Sequence, residues 1–259
     1  MLSKKTKTII IAIPLATVIG FGAYSAFNSH FSPAAGEDNN TETVILSKDF
    51  PSTSDLNQMI NEADLVVIGE YEGLDSKWNM ARNPSNPLEE DKENYVEGHL
   101  YNFNISETIK GVTENKQIKI NHRFAETVKL EDSNAVVAPD GTVTKKATKV
   151  TTKEVQNKDP LYIEPKVNKK YMMFLKKDQL FGNYYGAIEP FAITFDENNK
   201  ADLQTNIETI NESKMSSKAQ LAGKTIVLKN EIHETITDNI SGKTLDELKE
   251  QVKQKTSNN

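Results

Sequence analysis

Apolar positions along the chain fall into one long uninterrupted run, two helical stripes and many short alternating runs. The long run is Thr8 to Phe27, TIIIAIPLATVIGFGAYSAF, twenty positions without a charge behind Lys4, Lys5 and Lys7. About 20 apolar residues in helical conformation cross the hydrocarbon of a bilayer, and a positive flank stays on the cytoplasmic side. The pattern predicts a cytoplasmic positive segment over 1–7, one N-terminal transmembrane helix over 8–27, and an extracytoplasmic remainder. The run exceeds the roughly 7–15 residues of a usual signal core, which favours a retained anchor. Ser32, Pro33, Ala34 and Ala35 nevertheless offer small residues to a signal peptidase, so cleavage and secretion stay open. Residues 28–53, dominated by Ser, Pro, Ala, Gly, Asn and Thr, read as a linker.

Beyond the linker, residues 54–259 read as one β-rich domain. Leu56, Met59, Ile60 and Ala63 make a helical stripe behind a Ser54 or Asp55 cap. Leu65 to Ile68 begins a buried strand that bends near Gly69, and residues 74–94 form a polar excursion holding Trp78. Tyr101, Phe103 and Ile105 alternate with asparagines, as do Ile118 and Ile120 with Lys119. Pro139-Asp140-Gly141 marks the turn of a poorly apolar, projecting hairpin. Tyr171 to Leu175 reads as a central strand, Phe191 to Leu203 as another hairpin and Thr225 to Glu231 as a last strand. Thr244 and Glu247 form a capping box ahead of Leu245, Leu248 and Val252. The fold class expected is mainly β: an antiparallel, OB-like or half-closed barrel with a projecting hairpin and two peripheral helices.

Composition narrows the function. Apolar residues are 37% and aromatics 7%, which argues against a large enzyme core with a deep apolar pocket. The absence of cysteine excludes disulfide scaffolds, thiolate metal sites, thiol catalysis and a lipidated cysteine anchor. A net charge of -6, or -9 after residue 36, lacks the basic footprint of a nucleic-acid binder. The ratio of 29 lysines to two arginines points to a low-GC Gram-positive bacterium.

Four stretches carry a resemblance: ADLVVIGE (Ala63 to Glu70), YNFNISETIKG (Tyr101 to Gly111), KQIKINH (Lys116 to His122) and VNKKYMMFLKK (Val167 to Lys177). In order and pattern they resemble the netrin/tissue-inhibitor-of-metalloproteinase type of OB-like barrel and small exported Gram-positive proteins. The resemblance covers about 40 positions and implies fold alone. The inhibitors of that family chelate metal through an N-terminal cysteine, which this chain lacks, and Asn168 stands where a Gly often precedes the Lys-x-Tyr stretch.

Site chemistry is sparse. His233-Glu234 opens like a zinc-protease motif, but Thr237 occupies the second ligand position. Gly223-Lys224-Thr225 and Gly242-Lys243-Thr244 end like phosphate loops without the upstream glycine, which is Lys218 or Thr237 here. Asp196, Asn198 and Asp202 alternate like calcium ligands, but Lys200 fills a ligand slot and Ala201 replaces the turn glycine. Glu70 with Glu72 and Glu89 with Glu90 read as surface carboxylates. No cofactor is expected. Between Lys145 and Lys177 ten lysines face three acids, and Lys145, Lys146, Lys149 and Lys153 are the candidate contact for an anionic envelope polymer or lipid headgroups. The expected function is a non-catalytic binding or interaction module of the bacterial cell envelope, membrane-tethered or secreted, whose partner is such a polymer or an envelope protein. The alternatives are a cell-envelope hydrolase or metal-dependent enzyme, which needs His99, His122 and Glu70 or Glu97 to converge, and a secreted inhibitor.

Overall fold

Leu65, Val66, Val67 and Ile68 can be apolar without interruption because both sides of their strand are covered. Alternate side chains of a strand point to opposite faces. Leu65 and Val67 enter one core with Tyr101, Phe103 and Ile120, while Val66 and Ile68 enter another with Met59, Phe174 and Val252. The same division explains Tyr171 to Leu175: Tyr171, Met173 and Leu175 join the first core, Met172 and Phe174 the second.

The computed structural model of the chain describes residues 9–12, 17–18, 41–48, 50–133, 136–137, 143–145, 150–207 and 216–257. In chain order these hold β1 (Thr41–Lys48), α1 (Leu56–Glu62), β2 (Leu65–Asn79), β3 (Ala81–Asn83), β4 (Asn86–Glu90), β5 (Val96–Lys110) and β6 (Gln117–Ser133). They continue with β7 (Val150–Lys158), β8 (Lys170–Lys177), β9 (Tyr184–Gly186), β10 (Ala192–Phe195) and β11 (Ala201–Leu203). The last are β12 (Ser216–Leu221), β13 (Lys224–Ile232) and α2 (Leu245–Ser257). Strand β2 pairs antiparallel with β5, β5 with β6, β8 with β2, and β9 with β8. A parallel contact of Tyr184 with Ile120 joins β9 to β6 and closes a five-stranded barrel. The first core fills its interior. The second lies between the outer faces of β2, β8 and β10 and the two helices.

Both helices follow their sequence signals. Asp55 caps α1 by accepting from Asn57 N at 2.9 Å, and Leu56, Met59 and Ile60 are its buried face. At α2, Glu247 N donates to Thr244 Oγ1 at 3.2 Å while Thr244 N donates to Glu247 Oε2 at 2.6 Å, the reciprocal capping box.

Several stretches differ from the expectation in extent. Strand β2 runs on to Asn79, and β3 and β4 form a hairpin inside the stretch read as a polar excursion. Its register against β5 shifts four times, which breaks the alternation that would have revealed the strand. Part of the expected linker is structured: β1 pairs in parallel with β13 over eight residues, burying Val44 and Leu46. These two, with Ile226 and Leu228 of β13, pack on Val128 and Leu130 of β6 as a third core. In the projecting hairpin, Val136–Val137 pairs with Val143–Lys145, while its Pro-Asp-Gly turn lies outside the described residues. The expected transmembrane segment also lies outside them, apart from Ile9–Ala12 and Thr17–Val18, short strand pieces beside Lys129–Asp132 and Ala81–Arg82. Among the described residues no helix is long and apolar enough to cross a membrane.

Gly69 is required where β2 bends. A Cβ there would lie 2.0 Å from the carbonyl oxygen of Asn104 and 2.6 Å from the Phe103 ring, so the β2–β5 ladder would have to open. Gly69→Ala should cost about 3 kcal/mol, the upper range of overpacking effects. Urea unfolding of the two chains measures it, and unchanged stability would show that the strands separate freely at this bulge.

Candidate binding groove and interior polar network

Inside the barrel, Tyr71 is the hub of an aromatic cluster. Its ring meets Phe103 and Tyr171 edge to face at 5.0 Å each and Tyr101 at 5.8 Å, and its hydroxyl shares a 2.9 Å hydrogen bond with His122 Nε2. Burial raises the Tyr71 phenol well above its ordinary value. Burial, and then the neighbouring His99, lower His122 to about 3. Both groups are therefore neutral at physiological pH. His122 edges a cavity of about 40 Å³ that Tyr71, Glu189 and Gln204 also line, beneath a strap carrying Leu161 and Pro165. Burial and the nearby Asp159 push the Glu189 carboxyl up to about 8.

His99 and His122 sit opposite each other on β5 and β6, so the sheet register brings the two together. His99 Nε2 is bonded to Glu97 Oε1 at 2.8 Å, and its ring is stacked on Phe124 at 4.1 Å. Burial alone would raise Glu97, but hydrogen bonds from Lys77 and His99 outweigh it and hold the carboxyl below its usual range. Tyr162 completes the chain, with its hydroxyl 2.6 Å from that of Tyr101. Glu70 stays on the exposed surface. One ring nitrogen of each histidine, Nε2, is thus committed to Tyr71 or Glu97, and among the described residues no group of three or more His, Asp or Glu could hold a metal ion.

A second feature lies on the outside. Trp78 at the end of β2, Leu100 of β5, Ile118 and Lys119 of β6, Lys177 of β8 and the turn Phe181–Tyr184 enclose an open groove of about 420 Å³. That falls within the roughly 300–1,000 Å³ of small-molecule sites. The Trp78 indole donates to Asn121 Oδ1 at 2.9 Å, which fixes the ring, and Phe181 meets it edge to face at 5.2 Å. Asp178 holds the turn by accepting from Leu180 N and Phe181 N at 2.8 and 3.1 Å. Asn115, Gln117 and Asn183 add amides, of which Gln117 already donates to Glu72 and Asn104 at 2.7 and 2.9 Å and offers its carbonyl oxygen as an acceptor. Lys119 is paired with Asp75 at 2.7 Å, whereas the exposed Lys177 ammonium has no side-chain partner among the described residues.

Sequence reasoning missed this groove. Its signal was a lone tryptophan four residues before one of only two arginines in a lysine-dominated chain. Arg82 is 3% exposed, with its guanidinium 4.7 Å from the Trp78 ring and 4.9 Å from Phe181. The lysine segment is only partly visible: Lys153 is exposed on β7, and the side chains of Lys145, Lys146 and Lys149 lie outside the described residues. The carboxylate of Asp196, considered for calcium, accepts from the backbone of Asn198 and Lys200 at 2.9 and 2.7 Å and makes an ordinary hairpin turn. His233 is exposed on the surface after β13. Comparison of the chain with family models, with curated proteins and with solved structures found no match.

Glu189 and His122 give the barrel opposite pH dependences. Unfolded, the carboxyl titrates near 4.5 and the imidazole near 6.5; folded, they titrate near 8 and 3. Between pH 6.5 and 8 the folded chain holds the extra proton on Glu189, so stability falls as pH rises. Below 4.5 the unfolded chain holds the extra proton on His122, so stability rises with pH, and between 4.5 and 6.5 the two effects oppose. Glu189→Gln should abolish the fall above pH 6.5 while leaving the acid limb, as read from urea midpoints across pH. A wild-type midpoint that is flat from pH 6.5 to 8 would refute the assignment. Tyr71→Phe, which leaves His122 Nε2 without its partner, should cost about 1–3 kcal/mol in the same assay.

Proposed function

We propose that this chain is a non-catalytic binding module of the bacterial cell envelope, tethered or exported through its N-terminal segment, with the Trp78–Phe181 groove as its ligand seat. The observation that carries the reading is the groove itself: a tryptophan ring fixed by Asn121, a second aromatic ring on a turn, three amides and an ammonium unpaired among the described residues, a composition suited to holding a polar chain. The five strands close with the third and fifth parallel, an arrangement that supports the OB-like reading. OB-type barrels bind extended ligands across the face of their second and third strands, and the groove lies on β5 and β6, the corresponding pair. The histidine pair lends a hydrolytic reading no support, because Nε2 of each is engaged by Tyr71 or Glu97 and the adjoining cavity is too small for a polymer.

Two measurements test this. Trp78 is the only tryptophan, so ligand in the groove should alter its fluorescence directly. Isolated wall polysaccharide titrated into the full-length chain should quench or shift Trp78 emission, and Phe181→Ala should weaken the effect at least several-fold. No change with any envelope fraction would overturn the groove as the seat. For the tether, the chain should stay with membranes through alkaline carbonate washing, or appear in the medium shortened by its N-terminal segment. Full-length chain released by carbonate would instead favour Ile9–Ala12 and Thr17–Val18 remaining as strands on the barrel.

A further inference from the structure

Arg82 is a cation buried against the Trp78 and Phe181 rings of the groove, without a full set of partners among the described residues. Its Nε donates to the carbonyl of Met80 at 3.3 Å, and its buried Nη2 has no hydrogen-bond partner among the described residues. Burial lowers its pKa, an effect that Glu90 and Asp178 offset from a distance without pairing to it. A buried charged donor left unpaired is among the costliest arrangements in a fold, and its natural complement is an anion. The two rings that hold it, Trp78 and Phe181, are the same two that line the groove. Trp78 is fixed by Asn121. Phe181 is half-buried on a short turn next to Gly182, whose φ of +71° and open surroundings leave room beside the ring.

We propose that the groove takes an acidic saccharide chain, and that Phe181 swings aside so that one anionic group of the chain, carboxylate or phosphate, reaches Arg82 while Lys177 meets it from the rim. This rests on the groove being the ligand seat and adds the ligand's chemistry. Aromatic faces suit the C–H faces of sugar rings, the amides of Asn115, Gln117 and Asn183 suit hydroxyls, and the guanidinium fork suits a two-oxygen anion in a way an ammonium does not. An acidic peptide would satisfy Arg82 but leave the aromatic rings little to stack on.

The test uses the full-length chain in neutral detergent, with Trp78 fluorescence as readout and tetragalacturonate, maltotetraose, a phosphorylated oligosaccharide and tetraglutamate as probes. Tetragalacturonate or the phosphorylated saccharide should bind at least tenfold more tightly than maltotetraose, and whichever binds more tightly identifies the anionic group. Arg82→Lys should reduce that acidic-to-neutral ratio five- to tenfold. Lys177→Gln, at an exposed position where folding is not at risk, should lower the ratio two- to threefold. Equal binding of acidic and neutral saccharides by wild type, or an unchanged ratio in a folded Arg82→Lys chain, overturns the anion site while the groove stands. Tetraglutamate binding as tightly as the saccharides overturns the saccharide assignment. Binding of none of the four overturns this inference, and the groove as ligand seat falls only if envelope polysaccharide also fails.

Discussion

The barrel depends on the packing around Tyr71. Its ring is held edge-on by Phe103 and Tyr101 of β5 and Tyr171 of β8, and its hydroxyl is held by His122 of β6. One residue therefore ties β2, β5, β6 and β8 together at the centre of the core. The hydroxyl cannot be left alone in such a place, and the imidazole cannot be charged there, so each satisfies the other in its neutral form. The bulge at Gly69 and the shifts that follow it bend β2 on either side of this point.

The outer wall follows from the inner one. Strands β2 and β8 are apolar on both faces because the inner face makes the barrel and the outer face receives α1, α2 and the β10–β11 hairpin. The helices are short and contribute little stability alone, but each brings a buried stripe to a surface that would otherwise be a large apolar patch. Polar side chains then stay where water or a partner reaches them. Arg82 departs from that rule, enclosed by two aromatic rings and one backbone carbonyl.

Much of the fold was legible. The strong signals were local: the double-faced runs Leu65 to Ile68 and Tyr171 to Leu175, the alternation at Tyr101 to Ile105, and the caps at Asp55 and Thr244. Strand β1 was hidden because only Val44 and Leu46 mark its buried face within a polar stretch, and its partner lies some 180 residues away. The far half of β2 was hidden because repeated bulges erase a period of two. The facing of His99 and His122 could be anticipated from their places on neighbouring strands, but their engagement by Glu97 and Tyr71 could not, since it depends on register. The groove was illegible for a further reason: Trp78, Lys119 and the Lys177–Phe181 stretch come from three distant segments that share no local pattern.

The parallel pairing of β1 with β13 has a mechanical consequence. If residues 8–27 are held in a bilayer, any pull between cell surface and ligand enters the folded body at Thr41, the leading end of β1. That strand is bonded along Thr41 to Lys48 against Thr225 to Ile232, with both chains running the same way. A load along its axis strains the whole ladder together and does not peel it one bond at a time. This joint would thus act as a shear clamp, passing tension through the third core into the far end of β6, around Val128 and Leu130, and away from the end that lines the groove.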